Sequence, residues 1–546
     1  MSHPLARRLQ LGTDEWRHAV TLGGILFSIT SSYTLTKTAR DAMFLAHLPA
    51  TELPLVYLGA GVLTLLASLV FARATRHVAT WQTLAGTAGV AAVSLVVFAW
   101  AFVIGGAWVP VVFYLWVNLY GLMLTSQFWN FTNSISDPGE AKRIFGIVGG
   151  LGILGGLVGG IAAARLGTRA GLPALLVMAA VLVALTVPAV WVGVRRGAVA
   201  GSEPPPGESG RSPFRADYVR WLALAALCSV LVTGLLDYQL KVEIQQRYPT
   251  SASLARFFGL FYTVTNTVAL VFQLVGTRWS LERLGAGWSA AVLPAGLGAG
   301  ALATLTSPGI GAVVGTRLWD QVMRLSLNRS AVELFYFPLE PGLRRRAKAM
   351  IDAGLERIGD ALSGVLILVL GVTIGAGTWS VALVVTALVI IWLAAWFRIR
   401  RGYVDELGRN LRRMNLDPAA EPLPLREAAV RGATTRLLAS PWERVVLHGM
   451  EVLADADLRA LRQQLPRLLS HPSPEVRARA LALAAAHWPE RAEAHLAAQL
   501  ADPDPRVRLA ALAVRAELDP SIGLEAFAPY LDAPDPRVRA EALRAA

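Results

Sequence analysis

ELFYFPLEPGLRRRAKAMIDAGLERIGD, residues 333–360, is crowded with charge yet lies between two long apolar runs. An earlier stretch, FWNFTNSISDPGEAKR at 128–143, has the same layout: aromatics closing an apolar run, then a proline, then an Ala-Lys pair at Lys142, as at Lys348. Lysine is scarce enough to act as a marker. Of 51 basic residues only Lys37, Lys142, Lys241 and Lys348 are lysines. Lys37 and Lys241 are 204 residues apart, and Lys142 and Lys348 are 206 apart. Two matching offsets predict a chain built of two similar halves, the organisation found in many membrane carriers.

Composition points the same way. The 546 residues are 54% hydrophobic and only 16% charged, against about 25% charged in ordinary soluble domains. The net charge of +13 belongs entirely to residues 1–400, since 401–546 holds 20 basic and 20 acidic residues. Basic loops flanking apolar helices account for that excess better than a nucleic-acid surface does. The single cysteine, Cys228, excludes a disulfide framework. Arg7, Arg8 and Arg17 precede the first apolar run without a small-residue cleavage signal, so that run is expected to be retained.

A membrane-crossing helix needs about 20 mostly apolar residues. Twelve runs qualify, near 18–38, 53–72, 81–104, 108–130, 144–165, 171–194, 218–240, 257–279, 286–306, 309–330, 351–375 and 377–397. The polar stretch GSEPPPGESGRSP (201–213) divides them six and six. The predicted fold is all-α: a twelve-helix membrane transporter of two six-helix halves, major facilitator-like, followed by a soluble α-solenoid tail. The domains are 1–200, a linker at 201–217, 218–400, a second linker at 401–435, and 436–546. Basic residues in alternate loops, among them Arg73 and Arg76, Arg195 and Arg196, and Arg344 to Arg346, put both termini in the cytoplasm. In a bacterium the membrane would be the inner one.

Charged groups within such runs are costly in hydrocarbon and mark function by default. The candidates are Lys37, Arg40 and Asp41 on helix one; Asn118 on helix four; Asp237 and Lys241 on helix seven; Arg317, Asp320 and Arg324 on helix ten; and Lys348 leading Asp352, Glu356 and Asp360 into helix eleven. Asp237 with Lys241 and Arg317 with Asp320 have the spacing of pairs on one helix face, which also suits pairs that only fix packing. The combined basic set suits a cavity that attracts a multiply charged anion, with arginine as a planar fork on phosphate and lysine as a point charge. Tyr33, Trp116, Tyr120, Trp129, Tyr238 and Trp319 are available to stack on a base. Gly150-Leu-Gly152-Ile-Leu-Gly155 matches a dinucleotide-binding pattern but has no strand before it. Gly152, Gly156 and Gly160 instead suggest close helix–helix approach. The sequence has no P-loop and no metal-ligand spacing among its eight histidines, so neither catalysis, cofactor nor metal is expected.

In the tail, HPSPEVRARALALAA (471–485), DPDPRVRLAALAVRA (502–516) and APDPRVRAEALRAA (533–546) repeat with Pro474, Pro505 and Pro536 each 31 residues apart. This resembles HEAT-type repeats, in which proline opens the second helix and an Ala/Leu face packs on its neighbours. Single units cannot bury a core, so they stack, and the stacked face is a candidate surface for a protein partner. The third copy stops without a polar cap, so the chain is expected either to be a fragment or to have that end covered by another partner.

SYTLTKTARDAMFL (32–45), FWNFTNSISDPGEAKRIFGIVGG (128–150), LLDYQLKVEIQ (235–245) and ELFYFPLEPGLRRRAKAMID (333–352) resemble the ATP/ADP translocase (nucleotide transporter) family of bacteria and plastids, over roughly residues 15–400. The resemblance implies exchange of ATP for ADP without hydrolysis. It implies transport roles for Lys37, Arg40 and Asp41, for Asp237 with Lys241, and for Lys348 with Asp352. Asn118 stands where the family has a glutamate, and Asp237 where glutamate is usual. The expected partners are a nucleotide or another anionic metabolite and the lipid bilayer, with no nucleic acid. A transport-inactive scaffold or sensor acting through its tail is the alternative of a different class.

Overall fold

The computed structural model describes residues 13–196, 213–412 and 435–545, except 76, 137, 277, 278, 281, 282, 374, 376, 436, 441 and 519–523. Residues 197–212 and 413–434, which take in most of the two predicted linkers (201–217 and 401–435), therefore lie outside the described residues, as do the side chains of Lys142 and Arg143. The described residues form helices and no strand.

In the first half, α1 (Thr13–His47), α2 (Leu53–Ala74), α3 (Thr80–Ile104), α4 (Val109–Ile135) and α5 (Pro138–Arg169) are continuous, and the sixth span is split into α6 (Gly171–Ala184) and α7 (Thr186–Arg196). The split falls where Pro188 removes a donor and crowds the carbonyl four residues back, that of Ala184. The second half has α8 (Asp217–Arg247), α9 (Ser251–Val271), α10 (Gly285–Thr306), α11 (Ile310–Met323), α12 (Arg329–Tyr336), α13 (Pro341–Lys348), α14 (Glu356–Thr373) and α15 (Thr378–Arg412). Among the described residues, ten segments are long and apolar enough to cross a bilayer. The predicted tenth and eleventh spans are α11–α12 and α14, which wide π turns interrupt at Arg324–Asn328 and Ala349–Leu355. Their charged residues lower their hydropathy. One face of α3 turns apolar side chains outward, with Val93 and Trp100 both 67% exposed, as expected of a surface whose solvent is lipid.

Helix α1 is the centre of the first half. Its polar residues do not face lipid. Thr30 Oγ1 donates to Gly152 O at 2.7 Å, Ser31 Oγ to Gly155 O at 2.7 Å and Ser32 Oγ to Ala179 O at 2.9 Å. Hydroxyls in an apolar medium need such acceptors, and they draw helices together. The glycines of α5 make the approach possible: a Cβ on Gly159 would lie 2.7 Å from Ser31 O.

The same device joins the halves. A Cβ on Gly156 would lie 2.8 Å from Asn266 Oδ1, and one on Gly259 2.5 Å from Ala164 N, so α5 and α9 touch backbone to backbone. Helices α2 and α14 do likewise: a Cβ on Gly61 would lie 2.7 Å from Ala361 N, and one on Gly364 2.5 Å from Pro54 O. The GxGxxG-like stretch is thus a packing surface inside a helix.

Residues 400–546, with Phe335–Arg344, form a second compact unit. Here α16 (Glu443–Ala456), α17 (Leu458–Leu469), α18 (Pro474–His487), α19 (Pro489–Leu500), α20 (Pro505–Leu518), α21 (Ala528–Leu531) and α22 (Pro536–Ala545) stack in sequence. Pro474, Pro505 and Pro536 are the first residues of α18, α20 and α22, where a missing N–H costs nothing. Val476, Val507 and Val538, two residues on, are fully buried. The next residue explains the repeated arginine. Arg477 Nη1 donates to His471 O and Pro472 O, Arg508 Nη1 to Asp502 O and Pro503 O, and Arg539 Nη1 to Ala533 O and Pro534 O, at 2.6–3.1 Å. Each arginine ties down the turn that precedes its own helix.

Candidate substrate site

Between the halves of the membrane unit lies a cavity of about 420 Å³, within the usual range for small-molecule sites. Tyr33, Lys37 and Arg40 on α1, Tyr57 and Thr64 on α2, and Tyr114 and Asn118 on α4 line it from the first half. Asp237 on α8, Arg317 on α11, and Arg357, Asp360 and Ser363 on α14 line it from the second. Three carboxylates hold its walls together.

Asp41, fully buried, accepts from Arg40 Nε at 2.9 Å and Nη2 at 2.8 Å, and from Tyr262 OH at 2.9 Å. Lys241 Nζ lies 3.1 Å from it. Asp237 accepts from Lys241 at 2.7 Å, from Tyr57 OH at 2.8 Å and from Arg317 Nη2 at 2.8 Å. Asp320 accepts from Arg317 Nη1 at 2.6 Å and from Arg324 Nη2 at 2.8 Å. Asp41 with Lys241, and Tyr57 with Asp237, are bonds between the halves.

The donors are not all used. Lys241, 1% exposed, spends its three on Asp41, Asp237 and Tyr114 OH, the last at 2.6 Å. Arg40 donates its remaining Nη1 to Asn118 Oδ1 at 2.9 Å, a neutral acceptor, and lies over the Tyr114 ring at 4.2 Å. Lys37 has no ion pair among the described residues; its ammonium sits 4.5 Å from the centre of the Tyr262 ring. The Nε donors of Arg317 and Arg324 are buried without an acceptor. Lys37, Arg40, Lys241, Arg317 and Arg324 therefore face three carboxylates, an excess of two positive charges. Arg357 and Asp360 pair with each other at 3.4 Å. A buried charge excess is costly unless an anion meets it.

The residues singled out in the sequence divide into three groups. Lys37, Arg40, Asn118, Asp237, Arg317 and Asp360 line the cavity, and Asp41, Lys241, Asp320 and Arg324 form the ion-pair network behind it. Lys348 does not line it: on the Pro341–Lys348 helix its ammonium pairs with Glu333. The Asp352 side chain lies outside the described residues. Of the six aromatics offered as stacking partners, only Tyr33 lines the cavity. Tyr120 bonds Thr36, Trp129 packs on Phe128 and Phe145, and Trp319 donates to Leu293 O.

Sequence reasoning missed Tyr57, Tyr114, Tyr262 and Arg357. Tyr114 precedes Asn118 by one turn of α4, and Arg357 precedes Asp360 by three residues, so spacing held a signal for both. Tyr57 and Tyr262 carried none, because their partners Asp237 and Asp41 are 180 and 221 residues away.

Similarity to known proteins agrees with this geometry. The sequence model of the TLC ATP/ADP transporter family matches residues 80–193, from α3 to α7. ADP,ATP carrier protein 1 of Chlamydia pneumoniae is 24% identical over 352 residues, 55% of this chain and 68% of the carrier. The corresponding protein of Chlamydia trachomatis serovar D is 25% identical over 344 residues, 54% and 65% of the two chains. ADP,ATP carrier protein 3 of Rickettsia bellii is 20% identical over 356 residues, 55% and 70%. The chain thus spans about two thirds of the length of these carriers. Among solved structures, a mutant of the nucleoside transporter NupG superposes with a TM-score of 0.52 at 14% identity, covering 71% of this chain and all of that one. A bacterial homologue of the human lysosomal transporter Spinster, inward-facing and unoccupied, gives 0.51 at 12% identity, covering 72% and 98%. These establish the major facilitator-type arrangement of the membrane unit. Over residues 80–193 the chain is similar to the TLC ATP/ADP transporter family, and the ADP,ATP carriers it resembles in sequence match over about half of its length.

Proposed function

We propose that this multi-pass membrane protein carries nucleotides by alternating access and that its reaction is the exchange of ATP for ADP. The observation that carries the proposal is the excess of two positive charges around a cavity lined by both halves. Lys37, Arg40, Lys241 and Arg317 would meet the phosphates, with Asp41, Asp237 and Asp320 positioning them and Tyr33 beside the base. No bond of the nucleotide changes, and gradients drive the exchange. An arriving polyphosphate would compete with Asp41 and Asp237 for the same cations. That competition would loosen the bonds between the halves when cargo is bound, so that they rock around the site. Both termini would face the cytoplasm of a bacterial inner membrane, and the tail, read as HEAT-like repeats, would offer its stacked face to a protein.

Asn118 favours a second reading of the cargo. It gives Arg40 a neutral partner where the family resemblance puts a glutamate, which leaves the cavity more positive. A cargo with more negative charge than ADP, or another phosphorylated metabolite, would suit that.

Uptake of labelled ATP into liposomes loaded with ADP tests the first reading. ATP entry that depends on internal ADP is the expected result. No entry of ATP, with entry of another phosphorylated compound from a panel, would transfer the assignment to the second.

A further inference from the structure

Outside the cavity lies a groove of about 590 Å³ on the surface of the membrane unit. Its floor is apolar: Phe257, Leu260, Phe261 and Val264 on α9, with Val314 and Leu318 on α11. These α9 positions cover about two turns, or on the order of 10 Å. Arg256 and Thr168 sit in its wall, and Phe257 stacks between Tyr248 and Phe261. Beside it, Arg165 and Arg169 line a furrow with Val158 and Ile161 on the last turns of α5. The two arginine-bearing ends are adjacent, because a Cβ on Gly167 would lie 2.8 Å from Ala255 Cβ.

Arg165, Arg169 and Arg256 are all exposed, and none has an ion pair among the described residues. Three unneutralised guanidinium groups at the end of membrane-crossing helices stand at headgroup level. A groove that is polar only at that end and apolar along the helix matches a molecule of the same polarity.

We infer that this groove binds an anionic phospholipid, with Arg165, Arg169 and Arg256 on its phosphate and one acyl chain along Phe257, Leu260 and Leu318. The lipid bridges α5 of the first half and α9 of the second beside their closest approach, so it stabilises the packed arrangement of the two. The inference is independent of the cargo.

The test uses the full chain in detergent, with phosphatidylglycerol and phosphatidylcholine of identical chains as probes. Retained lipid is counted by native mass spectrometry, and unfolding is followed by heating. The wild-type protein is expected to retain phosphatidylglycerol preferentially and to melt higher with it. Replacing all three arginines by glutamine should weaken retention on the order of tenfold or more, since each basic residue near a lipid surface contributes appreciably. Replacing them by lysine should preserve much of it. Leu260→Trp, which fills the groove and leaves the arginines, should lower retention as well. Equal retention of both lipids by the wild type overturns the inference without reference to any variant. So does unchanged retention in the glutamine variant or in Leu260→Trp. An equal rise in melting temperature with glycerol phosphate alone would identify a soluble-anion site and overturn it too.

Discussion

Lys37 is the one cation lining the cavity that has no carboxylate among the described residues, and this separates its two possible roles. A residue held in place by ion pairs costs stability when removed; one waiting for a ligand costs binding. Lys37→Ala is expected to leave the melting temperature nearly unchanged. Its affinity for a nucleotide polyphosphate should fall roughly ten- to a hundredfold, the worth of one hydrogen bond to a charged group. Asp41→Asn should do the opposite. It strips a shared acceptor from Arg40 and Lys241, and breaking a buried pair from one side costs about 3–5 kcal/mol. Thermal unfolding and ATP titration on both variants check the contrast. At this scale the sequence was readable where partners are local. Arg317, Asp320 and Arg324 form the paired face that their three- and four-residue steps predict, as do Asp237 and Lys241. It was not readable where a partner arrives from another helix: nothing near Tyr57 or Tyr262 announces that it donates to a buried carboxylate. Lys348 shows the limit of matching offsets: spacing along two halves did not bring it to the cavity, which Lys37 lines, or to the ion-pair network behind it, which Lys241 joins.

Glycine sets how close the helices come, and a change of one residue should be felt by the whole element. A side chain at Gly259 meets the backbone of Ala164, which has no room to move. In a Gly167→Cys, Ala255→Cys pair, where the two Cβ positions are adjacent, cross-linking should be efficient. Adding Gly259→Val should reduce it several-fold by forcing α5 and α9 apart; unchanged cross-linking would show that they do not meet there. In the tail, the Asp502 carboxyl is bonded by Arg477 at 2.7 and 2.8 Å, and these bonds hold its pKa below the usual carboxylate range. The folded value is the lower one, so the stabilisation is present above the unfolded value, about 3.9, and is lost as pH falls through the folded value. Hydrogen exchange over residues 471–508, corrected for the intrinsic rate, should lose protection below about pH 4. Asp502→Asn should be less protected at neutral pH and nearly flat across that range. The element pattern was the most legible part of the chain: apolar runs gave the spans, and the 31-residue proline spacing gave the starts of α18, α20 and α22. The wide turns at Arg324–Asn328 and Ala349–Leu355 were not legible, because charged residues on a helix do not reveal where its hydrogen bonds slip by one residue.

For the molecule as a whole, each half supplies both signs of charge to a common cavity and its network, with one positive charge in excess from each. From the first come Lys37, Arg40 and Asp41; from the second Asp237, Lys241, Arg317, Asp320 and Arg324. Asp41 and Asp237 bond across the boundary, and two positive charges are left in surplus. The surplus should select by charge before it selects by base. The direct measurement is calorimetric titration of the purified chain with ATP, ADP and adenosine, repeated with Lys37→Ala and at raised salt. The account predicts that ATP and ADP bind while adenosine does not, and that binding weakens with salt and at least tenfold in the variant. Adenosine binding as tightly as ATP, or ATP binding unaltered by Lys37→Ala, would contradict it.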